Sequence, residues 1–169
     1  YCTRFCCHLY GYIGSKNDLN DNTMKSERIL IVADDSPSSI KAVKYGFQLA
    51  ARLKARVGLI GVVDGALAIG NVDAGVFPEQ AAFEVKKSMK TFLEHMVKDY
   101  GDGVDAELFT PEGEVKETVL QLANEWEATL IVAGTHGRKG LNRLLMGSIA
   151  ESILRDAHIP VVVVPMDKT

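Results

Sequence analysis

From Glu27 onward, short apolar runs rich in β-branched residues alternate with longer stretches whose apolar residues recur at helical spacing. This alternation restricts the fold more than any other feature, because a strand apolar on both faces and a helix apolar along one stripe can bury both only by stacking in layers. Arg28 to Ala33 reads as a first, buried strand. A helix is expected from Pro37 to about Lys54, with Ser36 as N-cap, Pro37 at the first helical position, and Ile40, Val43, Phe47 and Ala50 along one face. Arg56 to Val63 forms a second strand, 64–77 a long loop, and Pro78 to Tyr100 a second helix. Asp105 to Phe109, Thr129 to Ala133 and Val161 to Val164 complete the strands, and Val115 to Trp126 and Ser148 to Arg155 the helices. With right-handed crossovers, the expected fold is a single doubly wound, five-stranded parallel α/β sheet with helices on both faces.

A chain of 169 residues that is 47% apolar supports one substantial core and is short for two. Residues 24–169 are expected to form that domain, with Met24 as its start. Residues 1–23 lack strand or helix periodicity and are expected to be a leader outside the fold. A formal charge of −3 provides no basic excess to attract nucleic acid. The longest apolar runs, such as Ile29 to Ala33, are far below the roughly 20 residues of a membrane span. All three cysteines, Cys2, Cys6 and Cys7, lie in the leader, so the fold does not depend on disulfides and a cytoplasmic location is expected. Together with His8 they lack the paired-ligand spacing of familiar zinc modules.

In open parallel sheets ligands bind beyond the carboxyl ends of the strands. The fourth strand runs into GTHGRKGLNRLLMGS, Gly134 to Ser148, which carries Gly134, Gly137, Gly140 and Gly147. Glycines allow a ligand to approach the backbone without a Cβ in the way, and amides at a helix start favour an anion. Ser148, followed by Glu151 three residues on, also reads as a capping box that would stabilise the last helix without any ligand.

Gly134, Gly137, Gly147 and Ser148 reproduce G-x2-G-x9-G-S, and the chain from about Lys25 to Pro165 resembles the ATP-binding branch of the universal stress protein family. ILIVADDSPSS resembles that family's first strand and turn, GLIGVVD its second strand, and HIPVVVVP its closing strand. The resemblance implies a Rossmann-like, adenine nucleotide α-hydrolase-like fold and ATP, with Mg²⁺, as ligand. Carried over by position, it implies that Gly137, Gly147 and Ser148 hold the phosphates, that Gly134 lies beside the ribose, and that Met146 and Ile149 line the loop. Asp34 matches the acidic residue on the nucleoside side, and Val62 the position whose backbone reads the adenine edge. Asp35 stands where the family often has glycine, and Gly61 where it often has histidine. Asp35 is expected to face solvent or meet Mg²⁺.

Arg138, Lys139 and Arg143 bring positive charge to the glycine-rich loop, either to screen a triphosphate or as solvated residues. No nucleophile with an acidic partner can be placed beside His136, and His95 and His158 read as surface or helix-end residues. A phosphoacceptor receiver domain is a rival reading, with Asp34 and Asp35 for metal and Thr135 as switch hydroxyl. The third strand ends without an aspartate and the fifth without a lysine, which argues against it. An adenylating enzyme would need a second substrate site, for which the long loop offers only Asp64 and Asp73. A slow Mg-dependent ATPase and a scaffold without nucleotide remain alternatives, and no catalytic base is identified. The expected function is nucleotide-dependent regulation of an unidentified protein partner. The resemblance also implies a homodimer through the closing strand, Pro160 to Val164.

Overall fold

The computed structural model describes residues 26–63, 78–135 and 147–166. Along the chain run β1 (Arg28–Val32), α1 (Pro37–Leu53), β2 (Arg56–Ile60), α2 (Pro78–Tyr100), β3 (Ala106–Phe109), α3 (Val115–Glu125), β4 (Leu130–Gly134), α4 (Ser148–Asp156) and β5 (Val161–Val164). The strands form one parallel sheet in the order β3-β2-β1-β4-β5, the doubly wound architecture expected from the alternation of patterns. Residues 1–23, expected to be a leader, and 64–77, expected to be a long loop, lie outside the described residues.

Each boundary has a local cause. Ser36 caps α1 by accepting from the Ser39 amide at 3.2 Å, and Pro37 fits the first turn, where its missing N–H costs nothing. Helix α1 stops at Leu53, one residue short of the expected end, because Lys54 turns left-handed with φ 53° and donates back to the Ala50 carbonyl. Strand β2 stops at Ile60 rather than Val63. Its pairing with β1 ends where the Ala33 amide donates to the Ile60 carbonyl, and beyond that point only the β3 side continues, through Gly61 to Phe109 and Val63 to Pro111.

Alternation along the strands sends side chains into two cores. Ile29, Ile31, Val57, Leu59 and Val132 pack against α1 and α2 through Val43, Phe47, Met89 and Leu93. Leu30, Ile60 and Ile131 face α3 and α4 through Val119, Trp126 and Ile153. The central strands are therefore buried on both faces, which explains why they read as continuous apolar runs rather than alternating ones.

The expected capping box at Ser148 is corrected. Gly147 is the N-cap of α4, with extended φ −61° and ψ 145°, Ser148 is the first helical residue, and no side chain caps the helix. The helix begins one residue earlier than a Ser148 cap would require because the Glu151 amide bonds the Gly147 carbonyl at 3.0 Å.

Candidate functional site

The chain reverses its order of travel across the sheet between β1 and β4. β1 leads outward to β2 and β3, and the connection from β3 returns past β1 to β4. Neighbouring connections diverge at such a switch point and leave a crevice beyond the strand ends. β1 and β4 are paired through Ile29↔Leu130, Leu30↔Ile131 and Ile31↔Val132, so Asp34 and Gly134 emerge side by side at this crevice. Val62 follows β2 on the adjoining strand.

Asp34 is half-buried and opens the turn into α1. Its Oδ1 accepts from the Ser36 amide at 2.9 Å, and its own amide donates to Ser39 Oγ at 2.7 Å. Asp35, the next residue, is exposed, in agreement with one of its two expected placements. Ser36, Ser38 and Ser39 are the buried polar side chains among the described residues. They brace the α1 N-terminus against the ends of β1 and β4, a role that the SPSS run hinted at only through the Ser36 cap.

Gly134 has a packing reason to lack a side chain. A Cβ there would lie 2.7 Å from Ser38 Oγ and 2.8 Å from the Ser38 carbonyl carbon and oxygen. Backbone atoms cannot swing aside, so α1 and β4 approach this closely only with glycine at 134. Gly61 has a similar reason, since a Cβ there would collide with Met89 Sδ and come within 2.8 Å of Met89 Cγ. Met89 of α2 thus covers the position where histidine was the expected family residue.

The chain leaves the sheet at Thr135 and re-enters the described structure at Gly147, and these two residues are bonded. The Gly147 amide donates to the Thr135 carbonyl at 2.6 Å, and the Thr135 amide donates to the Val164 carbonyl of β5 at 3.1 Å. With Gly147 so engaged, the α4 amides without an intrahelical partner are those of Ser148, Ile149 and Ala150. Among the described residues nothing accepts from them, and Ser148 and Ile149 are exposed. Three converging N–H groups and the positive end of the helix dipole suit an anion. Across the crevice, neither the amide nor the carbonyl of Val62 is engaged by a backbone hydrogen bond among the described residues, whereas Gly61 and Val63 on either side are bonded to β3 and the segment after it.

The structure therefore gathers Asp34, Val62, Gly134, Gly147, Ser148 and Ile149 at the ends of three adjacent strands. Gly137 and Met146 lie outside the described residues, as do His136, Arg138, Lys139 and Arg143. The sequence reading missed Ser38, Ser39 and Met89 as shapers of the site, and weighed Thr135 only for a receiver-type reaction. Among the described residues no group of three or more His, Cys, Asp or Glu side chains is placed to hold a metal ion. No helix among them is long and apolar enough to cross a membrane.

Residues 25–165 match the universal stress protein family. A universal stress protein of Methanocaldococcus jannaschii is 32% identical over 145 residues, covering 84% of this chain and 84% of the relative. Among solved structures, the universal stress protein UspA from Lactobacillus plantarum superposes with a TM-score of 0.71 at 20% identity, covering 82% of this chain and 97% of that one. A universal stress protein in complex with cAMP superposes with a TM-score of 0.58 at 21% identity, covering 83% and 97%. One from Archaeoglobus fulgidus in complex with dAMP gives 0.56 at 15% identity, covering 82% and 97%.

Proposed function

Because this chain belongs to the universal stress protein family, we propose that it binds an adenine nucleotide, ATP in particular, in the crevice beyond β1, β2 and β4, and that the bound nucleotide regulates a protein partner. The observation that carries this reading is the uncapped start of α4, where the amides of Ser148, Ile149 and Ala150 converge beside the switch point of the sheet. An N-cap glycine leaves those donors for a ligand where serine or aspartate would have occupied one of them.

Each part of the ligand then has a counterpart in this chain. The unengaged backbone of Val62 offers one donor and one acceptor, the pattern that matches an adenine edge. Asp34 offers its second carboxylate oxygen to ribose hydroxyls, since Oδ1 already serves the α1 turn. The phosphates lie at the α4 N-terminus, with Gly137, Gly147 and Ser148 of the motif holding them and Met146 and Ile149 lining the loop. Mg²⁺ accompanying the phosphates would meet the exposed carboxylate of Asp35. The solved relatives in complex with cAMP and dAMP support an adenine nucleotide as the ligand class.

Nucleotide binding orders the Arg138 to Met146 loop and thereby changes the surface presented to the partner, and the protein acts as a homodimer joined through β5. Calorimetric titration of the protein with Mg-ATP tests the pocket, with Gly147→Val as control. The expected result is a Kd at or below about 100 μM, roughly −5.5 kcal/mol, lost in the variant. The backbone at Gly147 is extended, a conformation valine also adopts, so the variant should remain folded. A folded wild-type protein that takes up no nucleotide would leave the scaffold reading in its place.

A further inference from the structure

Thr135 is joined to three separate elements. Its amide donates to β5 at Val164, its carbonyl accepts from the N-cap of α4 at Gly147, and its Oγ1 lies 3.4 Å from Ser38 Oγ on α1. Ser38 is 2% exposed, and its backbone lies against Gly134, the residue before Thr135. The two backbone bonds need only a peptide group, so any residue could make them. The contact to Ser38 needs a hydroxyl.

That difference gives the side chain a task of its own. The Gly147 amide bonds the Thr135 carbonyl, so the α4 N-terminus is tied to the end of β4 through Thr135. A residue anchored through its backbone N–H and C=O can still rock about the line joining those two bonds. A third tether from the side chain to a buried group on α1 removes that motion.

We propose that Thr135 is a positioning residue for the phosphate end of the nucleotide, its hydroxyl clamping to Ser38 so that the Ser148, Ile149 and Ala150 amides are held in one place. The proposal rests on the nucleotide reading above and assigns to that site a residue whose side chain need not touch the ligand. Its effect is confined to the phosphates, because Asp34 is held by its own bonds with Ser36 and Ser39, and Val62 lies between Gly61 and Val63, which are bonded to β3 and the segment after it.

Thr135→Val keeps the side-chain shape and removes the hydroxyl, whereas Thr135→Ser keeps the hydroxyl. Two readouts on the full chain separate the possibilities. In the ligand-free protein, amide hydrogen exchange at Gly147 and Glu151, whose amides are hydrogen-bonded to Thr135 and Gly147, should rise about tenfold in Thr135→Val, the size of one net hydrogen bond, with β1 and β4 unchanged and Thr135→Ser near wild type. Affinity for ATP should fall by about the same factor while affinity for adenosine, which lacks phosphate, stays constant. If Thr135→Val fails to fold, Ser38→Ala removes the same contact from the other side and should show the same pair of effects. Unchanged exchange at Gly147 and Glu151 overturns the clamp. Equal losses for ATP and adenosine, or no rescue by serine, reduce Thr135 to a general structural role and overturn the proposal. Wild-type protein that binds neither ligand, with the exchange effect intact, overturns the link to phosphate and the nucleotide reading, and leaves the clamp itself standing.

Discussion

Gly134 and Ser38 meet so closely that the smallest possible side chain at 134 would lie 2.8 Å from the Ser38 carbonyl carbon and oxygen. The first glycine of the G-x2-G-x9-G-S pattern is thus also the contact at which α1 packs on the end of β4. Gly134→Ala should destabilise the protein by about 1–3 kcal/mol through overpacking, measured by urea denaturation without ligand. A variant as stable as wild type that loses only nucleotide affinity would show that the glycine serves the ligand alone.

Gly61 and Met89 form a softer version of the same relationship, since the atoms in the way belong to a flexible thioether chain. Gly61→Ala should cost about 1 kcal/mol, and Met89→Ala should relieve that clash while opening space of its own. A double-mutant cycle should therefore give a coupling of about 0.5–3 kcal/mol. Strict additivity would mean that α2 and the end of β2 are not in contact in solution.

Strand β5 stands at one end of the sheet order, with Val161, Val162 and Val163 half-buried. An apolar edge strand of this kind is a template for pairing with a second copy. Val162→Lys should convert dimers to monomers in light scattering, without lowering Tm by more than a few degrees at matched concentration. A mutant that remains dimeric would place the interface elsewhere.

Asp156 closes α4 against α3. The hydrogen bond from Lys116 Nζ, 3.3 Å from its Oδ2, chiefly holds its carboxyl below the ordinary aspartate value, and Arg155 adds to the effect. A folded-state pKa lower than the unfolded one means that the contribution to stability is present above the unfolded value of about 4 and is lost as pH falls through the folded value. Lys116→Met should raise the Asp156 titration midpoint towards that of an ordinary aspartate, as followed by carboxyl NMR. No movement would show that the α3 to α4 contact is absent in solution.

Much of this architecture is written locally. The strands other than β3, whose Glu107 interrupts it, are mostly apolar runs and each helix is a stripe repeating at helical spacing, so the nine elements among the described residues lie within a few residues of their expected bounds, and β5 and α2 coincide with them. The switch from one period to the other also places Gly134 to Ser148 between the fourth strand and the last helix, and so brings the motif to the carboxyl edge of the sheet. Such signals depend on residues at most a turn apart, which is why one sequence suffices to read them.

What only the tertiary structure decided are the contacts between segments far apart in the chain. Ser38 and Thr135 are 97 residues apart, and nothing in the neighbourhood of either announces the other. Gly147 rather than Ser148 caps α4 because the Glu151 amide bonds the Gly147 carbonyl, and the Gly147 amide is tied in turn to Thr135, a long-range bond that the local S-x-x-E pattern does not announce. The need for glycine at 134 and 61 likewise comes from the approach of α1 and α2 across the sheet. Local periodicity determines which elements form and which faces they bury, whereas close packing of those faces determines which side chains and amides meet at the crevice.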